Sequence, residues 1–524
     1  MITLLDYGAG NVRSVINAVE SLGETVRVAR TGQEILDAER LIFPGVGAFG
    51  NMMRILGEKN FIAPLRAYLE ADRPFLGICL GLQALFDGSE EAPGVNGLGF
   101  LPGTVKRFDT RLAVPHIGWN GLNVQQPSVI FRGLAGDEKF YFVHSYHVDT
   151  DDPSVVLTTT DYGYPFVSAV QKGRVVATQF HPEKSGETGL RILENFIRPD
   201  VAPCLPPRIS RETRLAKRII ACLDVRSDDR GELVVTKGDQ YDVREAGAVR
   251  NLGKPADLAA RYYREGADEI TFLNITGFRD FPLEDMPMMA VLKETSRRVF
   301  VPLTIGGGIR DYTDAEGRTY SALEVAAGYF RAGADKVSIG SDAVKIVESY
   351  LKTGRGTGSS AIEAIARVYG NQAVVISVDP RRVYVSSPDA ACGHPVIETA
   401  FPGPGGERYC WYQCTVKGGR EGRDVDAVTL ARVCETLGAG EILLNCIDRD
   451  GTSEGFDIEL INAVKAAVSI PVIASSGAGC AAHFHEVFTR TAAESALAAG
   501  IFHRREVPIE EVKRYLRGRV EIRG

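Results

Sequence analysis

A chain of 524 residues is too long for one hydrophobic core and implies two or more domains. Its apolar share of 44% and charged share of 24% are those of a soluble globular protein. A net charge of −7 without any Lys/Arg tract argues against nucleic acid as a main partner. Nine cysteines, an odd number with no C-x-x-C pair, point to a reducing compartment and to no metal site; Cys410 and Cys414 are the closest pair and have no further ligands nearby. The sequence enters a strand at Met1-Ile2-Thr3-Leu4-Leu5 and holds no apolar stretch of membrane-spanning length, so no leader, no membrane association and a cytoplasmic location are expected.

Over residues 1–198 short apolar strands alternate with helical segments such as 12–22 and 52–69. Further strands are expected at 139–143 and 155–158, and a closing helix at 190–197. This alternation predicts an α/β layered domain. Within it, the apolar run Phe75-Leu76-Gly77-Ile78 arrives as a buried strand and residues 80–86 leave with helical periodicity, with Cys79 between them and Gly77 and Gly81 on either side. That is the spacing of a nucleophile elbow, with cysteine in place of serine. The helix start behind Cys79 favours negative charge on sulfur, and the N–H of Leu80 is placed to hold an oxyanion. A buried core cysteine is the ordinary alternative, and the glycine pair at the strand–helix switch argues against it.

A cysteine nucleophile needs a base. Among His116, His144, His147 and His181, only His181 has a carboxylate two residues on, in Gln179-Phe180-His181-Pro182-Glu183. Residues i and i+2 of an extended segment face the same way, so Glu183 can orient the imidazole, and Pro182 keeps His181 extended. The order is nucleophile, base, orienter. A second oxyanion donor is expected from Val46 or Gly47 in Pro44-Gly45-Val46-Gly47, which follows the strand Leu41-Ile42-Phe43; taken alone, the same loop reads as an ordinary strand-end turn.

Gly77-Ile78-Cys79-Leu80-Gly81 with a distant His181-Pro182-Glu183 resembles the class I glutamine amidotransferases. The opening Asp6-Tyr7-Gly8-Ala9-Gly10-Asn11 and His116-Ile117-Gly118-Trp119-Asn120 resemble, more narrowly, the glutaminase half of the imidazole glycerol phosphate synthases of the histidine pathway. The resemblance implies that glutamine binds near Cys79 and that thioester formation releases ammonia.

Residues 198–207 carry four prolines, which cannot continue a helix and make a semi-rigid spacer. The expected division is therefore an amidotransferase domain at 1–198, a proline-rich linker at 199–214 and a second domain at 215–524. In that second domain strands are expected at 218–223, 269–274, 301–305, 336–339, 373–378, 441–446, 472–474 and 495–498, with helical segments between them. Eight such units over about 300 residues is the size of a (β/α)8 barrel. The runs at 266–270 and 438–442 echo each other, as do Val301-Pro302 and Ile470-Pro471, which suggests two similar halves. Three segments enlarge the barrel without a readable role: 310–320, 353–360, which is a flexible linker by composition, and 386–424 after the fifth strand.

Catalytic groups in such barrels sit where strands end. Asp224 and Asp379 hold that position on the first and fifth strands, on opposite sides of the mouth, which suits an acid and a base. Lys237 follows the first strand and can complement an anionic substrate. Glycine-rich strand ends with helix starts behind them form two phosphate cradles, one from Gly308, Gly340 and Ser341 and the other from Asp450, Gly451, Gly477, Ala499 and Gly500. Two cradles suit a substrate with a phosphate at each end.

Residues 216–224 and Ile447-Asp448-Arg449-Asp450-Gly451-Thr452 resemble the cyclase half of the same family, so the chain looks like its fused, bifunctional form. The resemblance implies conversion of phosphoribulosyl-formimino-aminoimidazole carboxamide ribonucleotide and glutamine into imidazole glycerol phosphate, aminoimidazole carboxamide ribonucleotide and glutamate. It also implies small-molecule substrates, no cofactor, and two domains working on each other within one chain. Asp224 and Asp379 become the cyclase acid/base pair. Ser476 departs from the glycine that many relatives carry. Arg218, Glu269, Lys336 and Glu441 lie at strand starts, where charges ordinarily serve stability. In the resembling enzymes such a ring marks the ammonia entrance, and Lys184 and Asp335 are then expected to pair across the interface. The competing expectation is a cysteine hydrolase joined to an uncoupled barrel that binds phosphorylated metabolites.

Overall fold

The computed structural model describes residues 1–8, 11–199, 202–207, 212–228, 230, 232–236, 244–245, 248–249, 251–275, 283, 286–391 and 393–524. Ala9 and Gly10 of the opening motif and Lys237 lie outside the described residues.

Five parallel strands, Val26–Ala29, Ile2–Leu5, Leu41–Gly45, Phe75–Cys79 and Val175–Thr178, form one side of the first sheet in that spatial order, and antiparallel strands beginning with Pro165–Lys172 extend it. The central strands are buried along their whole length because helices cover both faces, which is why they read as unbroken apolar runs. The segment expected as one helix over 52–69 is two, Phe49–Glu58 and Ile62–Glu70. Asn60 between them has φ 58°, a left-handed conformation that asparagine tolerates, and Pro64 in the first turn of the second helix has no N–H to lose there.

The second domain closes as an eight-stranded parallel barrel: Arg218–Ser227, Glu269–Asn274, Leu303–Gly306, Lys336–Ile339, Val374–Val378, Glu441–Asn445, Val472–Ser475 and Ser495–Ala498, the last pairing back on the first. Strand periodicity sorts the side chains by depth. Arg218, Ile220, Cys222 and Asp224 alternate along one face of the first strand, so a charge at the bottom, an apolar middle and a carboxylate at the mouth come from one stretch of sequence. Ile220, Cys222, Val375, Leu443, Ile473 and Leu497 pack together as that middle layer.

The segments without a readable role are structured. Residues 310–320 hold the small hairpin Tyr312–Thr313 with Thr319–Tyr320. Residues 353–360, expected as a flexible linker, form a tight connection between two helices. Gly354 ends the first in a left-handed turn, and Ser360 and Glu363 form a capping box for the second. Glu363 also accepts from Gly358 N–H and the Thr357 hydroxyl, which ties the connection down. Residues after the fifth strand build a sheet of their own, with Pro380–Val385, Ile397–Glu398 and Glu421–Asp426 all paired to Tyr409–Val416.

The first domain docks on the strand-start end of the barrel. Trp119 Nε1 donates to the Asp268 carbonyl at 3.1 Å, Gly186 N–H to Phe300 O at 2.9 Å, and Ala48 N–H to Val368 O at 3.3 Å. The Arg523 guanidinium lies 4.2 Å from the Trp119 ring, a cation–π contact. Among the described residues no helix is long and apolar enough to cross a membrane, and no cluster of three or more His, Cys, Asp or Glu is arranged to hold a metal.

Candidate active sites

Cys79 ends its strand with φ 54° and ψ −105° and begins the short helix Leu80–Gln83. This backbone is costly for a residue with a side chain and is held by its surroundings. A Cβ on Gly77 would stand 2.6 Å from Gly81 O, and one on Gly81 would stand 2.1 Å from Phe43 O, so the flanking glycines are required by close backbone packing.

His181 Nδ1 lies 2.8 Å from Glu183 Oε1, and both side chains are about 4% exposed. Burial alone would lower the imidazole pKa. The Glu183 carboxylate, and Cys79 as a second charge and hydrogen-bonding neighbour, outweigh burial and hold it well above its ordinary value. The Nε2 atom, on the Cys79 side, has no well-aligned hydrogen bond among the described residues. His116 and His144 face each other at 3.2 Å in an aromatic cluster, and burial pushes His144 down to about 3, so neither is poised as a base.

The loop expected to supply an oxyanion donor runs beside Cys79. The Val46 N–H donates to the Tyr7 phenol at 3.1 Å and that phenol donates back to Val46 O at 2.7 Å. Gly47 has φ 129° and abuts Val368 of the barrel. Leu80 occupies the first position of the helix behind the thiol.

Below the barrel, Arg218 Nη1 lies 2.8 Å from Glu269, Lys336 Nζ lies 2.6 Å from Glu269 and 2.7 Å from Glu441, and Arg218 also bonds Glu441. The four side chains are fully buried and close a ring. Burial opposes ionisation of Arg218 and Glu441, and their partners overcome it, raising the guanidinium and lowering the carboxyl. Lys184 Nζ meets Asp335 at 2.6 Å across the domain interface, and Asn11 Nδ2 donates to the same carboxylate at 2.8 Å.

At the opposite end Asp224 and Asp379 stand at the mouth, both half-buried. Burial raises the Asp379 pKa and so does the Asp450 charge, against hydrogen bonds from Asn445 and Ser377. Gly308 (φ 80°), Gly340 and Ser341 lie at the ends of the third and fourth strands, with Gly340 and Ser341 opening the helix Ser341–Thr353. Asp450, Gly451 (φ 76°), Gly477 (φ 93°), Ala499 and Gly500 gather after the sixth, seventh and eighth strands. Ser476 has φ 71°, the left-handed region that glycine adopts freely and in which a serine is strained.

Two family models divide the chain between them. Residues 3–199 match that of the class I glutamine amidotransferases and residues 218–508 that described as histidine biosynthesis protein. The chain is 59% identical to the chloroplastic imidazole glycerol phosphate synthase hisHF of Arabidopsis thaliana, an alignment covering 100% of this chain and 89% of that protein. The hisHF enzyme of Schizosaccharomyces pombe is 54% identical over 98% of both chains, and that of Emericella nidulans 52% over 99% of this chain and 98% of its own. The chain belongs to the bifunctional imidazole glycerol phosphate synthases. It joins a glutamine amidotransferase to a cyclase of the histidine pathway.

Some residues around these synthase sites carry no motif of their own. Gln179 Nε2 donates to Cys79 Sγ at 3.4 Å, and Gln179 lies two positions before His181 as Glu183 lies two after it. Asn445 donates to Asp379 at 2.9 Å and shares an inward face with Glu441 and Leu443, which the same alternation implies. The Tyr7–Val46 pairing joins residues 39 apart and has no local signature.

Proposed function

We propose that the glutaminase unit, residues 1–198, and the cyclase unit, residues 215–524, joined by the linker at 199–214, work as one glutamine-fed synthase. Cys79 attacks the carboxamide carbon of glutamine, with His181 taking the thiol proton and returning it to the departing ammonia; water then releases glutamate from the thioester. Leu80 N–H and a donor from Val46 or Gly47 hold the oxyanion, which requires Val46 to let go of Tyr7 if its own N–H is used. Ammonia enters the barrel through the ring Arg218–Glu269–Lys336–Glu441 and meets phosphoribulosyl-formimino-aminoimidazole carboxamide ribonucleotide at the mouth. Asp224 lies six positions beyond Arg218 on one strand, about 20 Å of path. Asp224 and Asp379 move the protons of ring closure. The two glycine cradles take the two phosphates, and Lys237 complements the negative charge of the substrate.

The observation that supports this reading is that the domain carrying Cys79, His181 and Glu183 docks on the strand-start end of the barrel, where the buried charge ring lies, while Asp224 and Asp379 lie at the other end. Glutamate release measured with and without the bis-phosphorylated substrate tests it. Strong stimulation by that substrate is expected, whereas equal rates would favour a hydrolase beside an uncoupled barrel.

Lys336→Ala tests the ring itself. It leaves Glu269 and Glu441 sharing only Arg218, so a stability loss of about 3–5 kcal/mol is expected. The functional expectation is separate: glutamate formed per imidazole product rises above the wild-type ratio while ammonium-driven synthesis survives. A ratio unchanged from wild type, with only thermal stability reduced, would make the ring purely structural.

A further inference from the structure

The sheet inserted after the fifth strand leads straight from a proposed catalytic carboxylate to a proposed phosphate loop. Asp379 directly follows the fifth strand, and Pro380–Val385 continues from it. Thr415, on the strand paired with that segment, donates to the Asp379 carbonyl through both its N–H (3.1 Å) and its hydroxyl (2.7 Å). Three residues beyond Asp379, the Arg382 side chain turns inward and is only 4% exposed. Its Nη2 lies 2.7 Å from Asp457 Oδ2, 3.3 Å from Glu459 and 3.4 Å from the Tyr412 hydroxyl.

The groups it meets bracket the loop after the sixth strand. Asp457 caps the helix Ile458–Lys465 and also accepts from Tyr412 and from the Cys446 thiol, so both ends of the segment 447–456 are tied to one carboxylate. The Arg382 N–H donates at 2.7 Å to Asp448 inside that segment. Phe401, from the same insertion, is in cation–π contact with two cations, 4.7 Å from Arg382 and 4.1 Å from Arg449. Arg449 precedes Asp450, the first residue of the expected cradle. Farther along, Gly455 N–H donates to Gly477 O at 2.7 Å, which passes the placement on to the next strand end.

We infer that Arg382, with Phe401 stacked on it, is a positioning residue for substrate phosphate. It clamps the loop carrying Asp450 and Gly451 onto the strand-five insertion and holds that cradle in the shape that binds phosphate. The inference rests on the cyclase reading given above. The inserted sheet thereby gains a role, because one part of it is fastened to the Asp379 backbone and another to the phosphate loop. Neither moves without the other.

Phosphate contacts remote from the reacting atoms bind ground and transition states alike, so their loss raises KM and leaves kcat nearly unchanged. Arg382→Gln is therefore expected to raise KM for the bis-phosphorylated substrate about 10-fold in ammonium-driven synthesis. Phe401→Ala removes a ring that is 43% exposed and leaves no buried charge behind, so it keeps the fold even where Arg382→Gln does not. It is expected to raise KM about threefold, the scale of one cation–π contact. Inorganic phosphate serves as an independent probe, and its competitive inhibition should weaken in parallel in both variants. Wild-type KM and wild-type phosphate inhibition in Phe401→Ala and in folded Arg382→Gln would overturn the inference, whatever their melting temperatures. Absence of product from the wild-type enzyme in the same assay would instead overturn the cyclase reading.

Discussion

Cys79→Ala is expected to lower glutamine-driven synthesis by about 10⁴-fold or more while ammonium-driven synthesis proceeds at the wild-type rate. The thiol is the only atom of the proposed first reaction that glutamine cannot do without, whereas the barrel meets ammonia from either source. The fold should tolerate the change. Alanine keeps the Cβ at φ 54°, so the strain of the elbow is neither relieved nor increased, and what is lost is the contact from Gln179 to sulfur. Cys79→Gly, by contrast, frees a backbone strain on the order of 1–3 kcal/mol and is expected to be equally inactive with glutamine but more heat-stable. Product formation with both nitrogen sources, followed in purified variants beside a melting curve, checks all three statements. Glutamine-driven synthesis persisting in Cys79→Ala would remove Cys79 from the mechanism.

The parts of this molecule legible in the sequence are those fixed by short-range geometry. Alternation along one strand places Arg218 and Asp224 at opposite ends of the same inward face, and a two-residue step brings Glu183 against His181, although through the 3-10 turn Pro182–Lys184 and not through the extended backbone expected. Both depend on neighbours a few residues apart. The same rule reaches Gln179 and Asn445 once their partners are known, although no motif draws attention to either. What depends on tertiary packing is not legible. The insertion after the fifth strand forms its sheet by pairing Arg382 with Tyr412, thirty residues apart, and its polar contacts reach across to Asp457 and Glu459. The break at Asn60 is masked by strong apolar periodicity on either side of it, although Pro64 marks the place. In 353–360, glycine and serine content suggests flexibility, but the same residue types serve as helix caps, and Glu363 decides between the two.

Asp379→Asn is expected to reduce synthesis by about 10³-fold from glutamine and from ammonium alike, because general acid–base transfer commonly contributes 10²–10⁴ and no second nitrogen source bypasses the barrel. The environment suits the role. Burial and the nearby Asp450 raise the carboxyl pKa, so at neutral pH it is a better proton acceptor than an ordinary carboxylate and can hold the proton it receives. Asparagine preserves the shape of the site. Its side-chain carbonyl can still accept from Asn445, and the bonds from Thr415 go to the main-chain oxygen, which the substitution leaves in place. The same raised pKa fixes the sign of the effect on stability. A carboxyl whose folded pKa exceeds its unfolded value favours the folded state when protonated, and it costs stability as pH rises from the unfolded value through the folded one. Above that window the neutral amide avoids the cost, so Asp379→Asn should melt at or above the wild-type temperature at pH 7. The difference should disappear on acidification below the unfolded carboxylate range. A loss of turnover with a gain or no change in stability is the signature of a group retained for chemistry. Near-normal ammonium-driven turnover in Asp379→Asn would deny it that role.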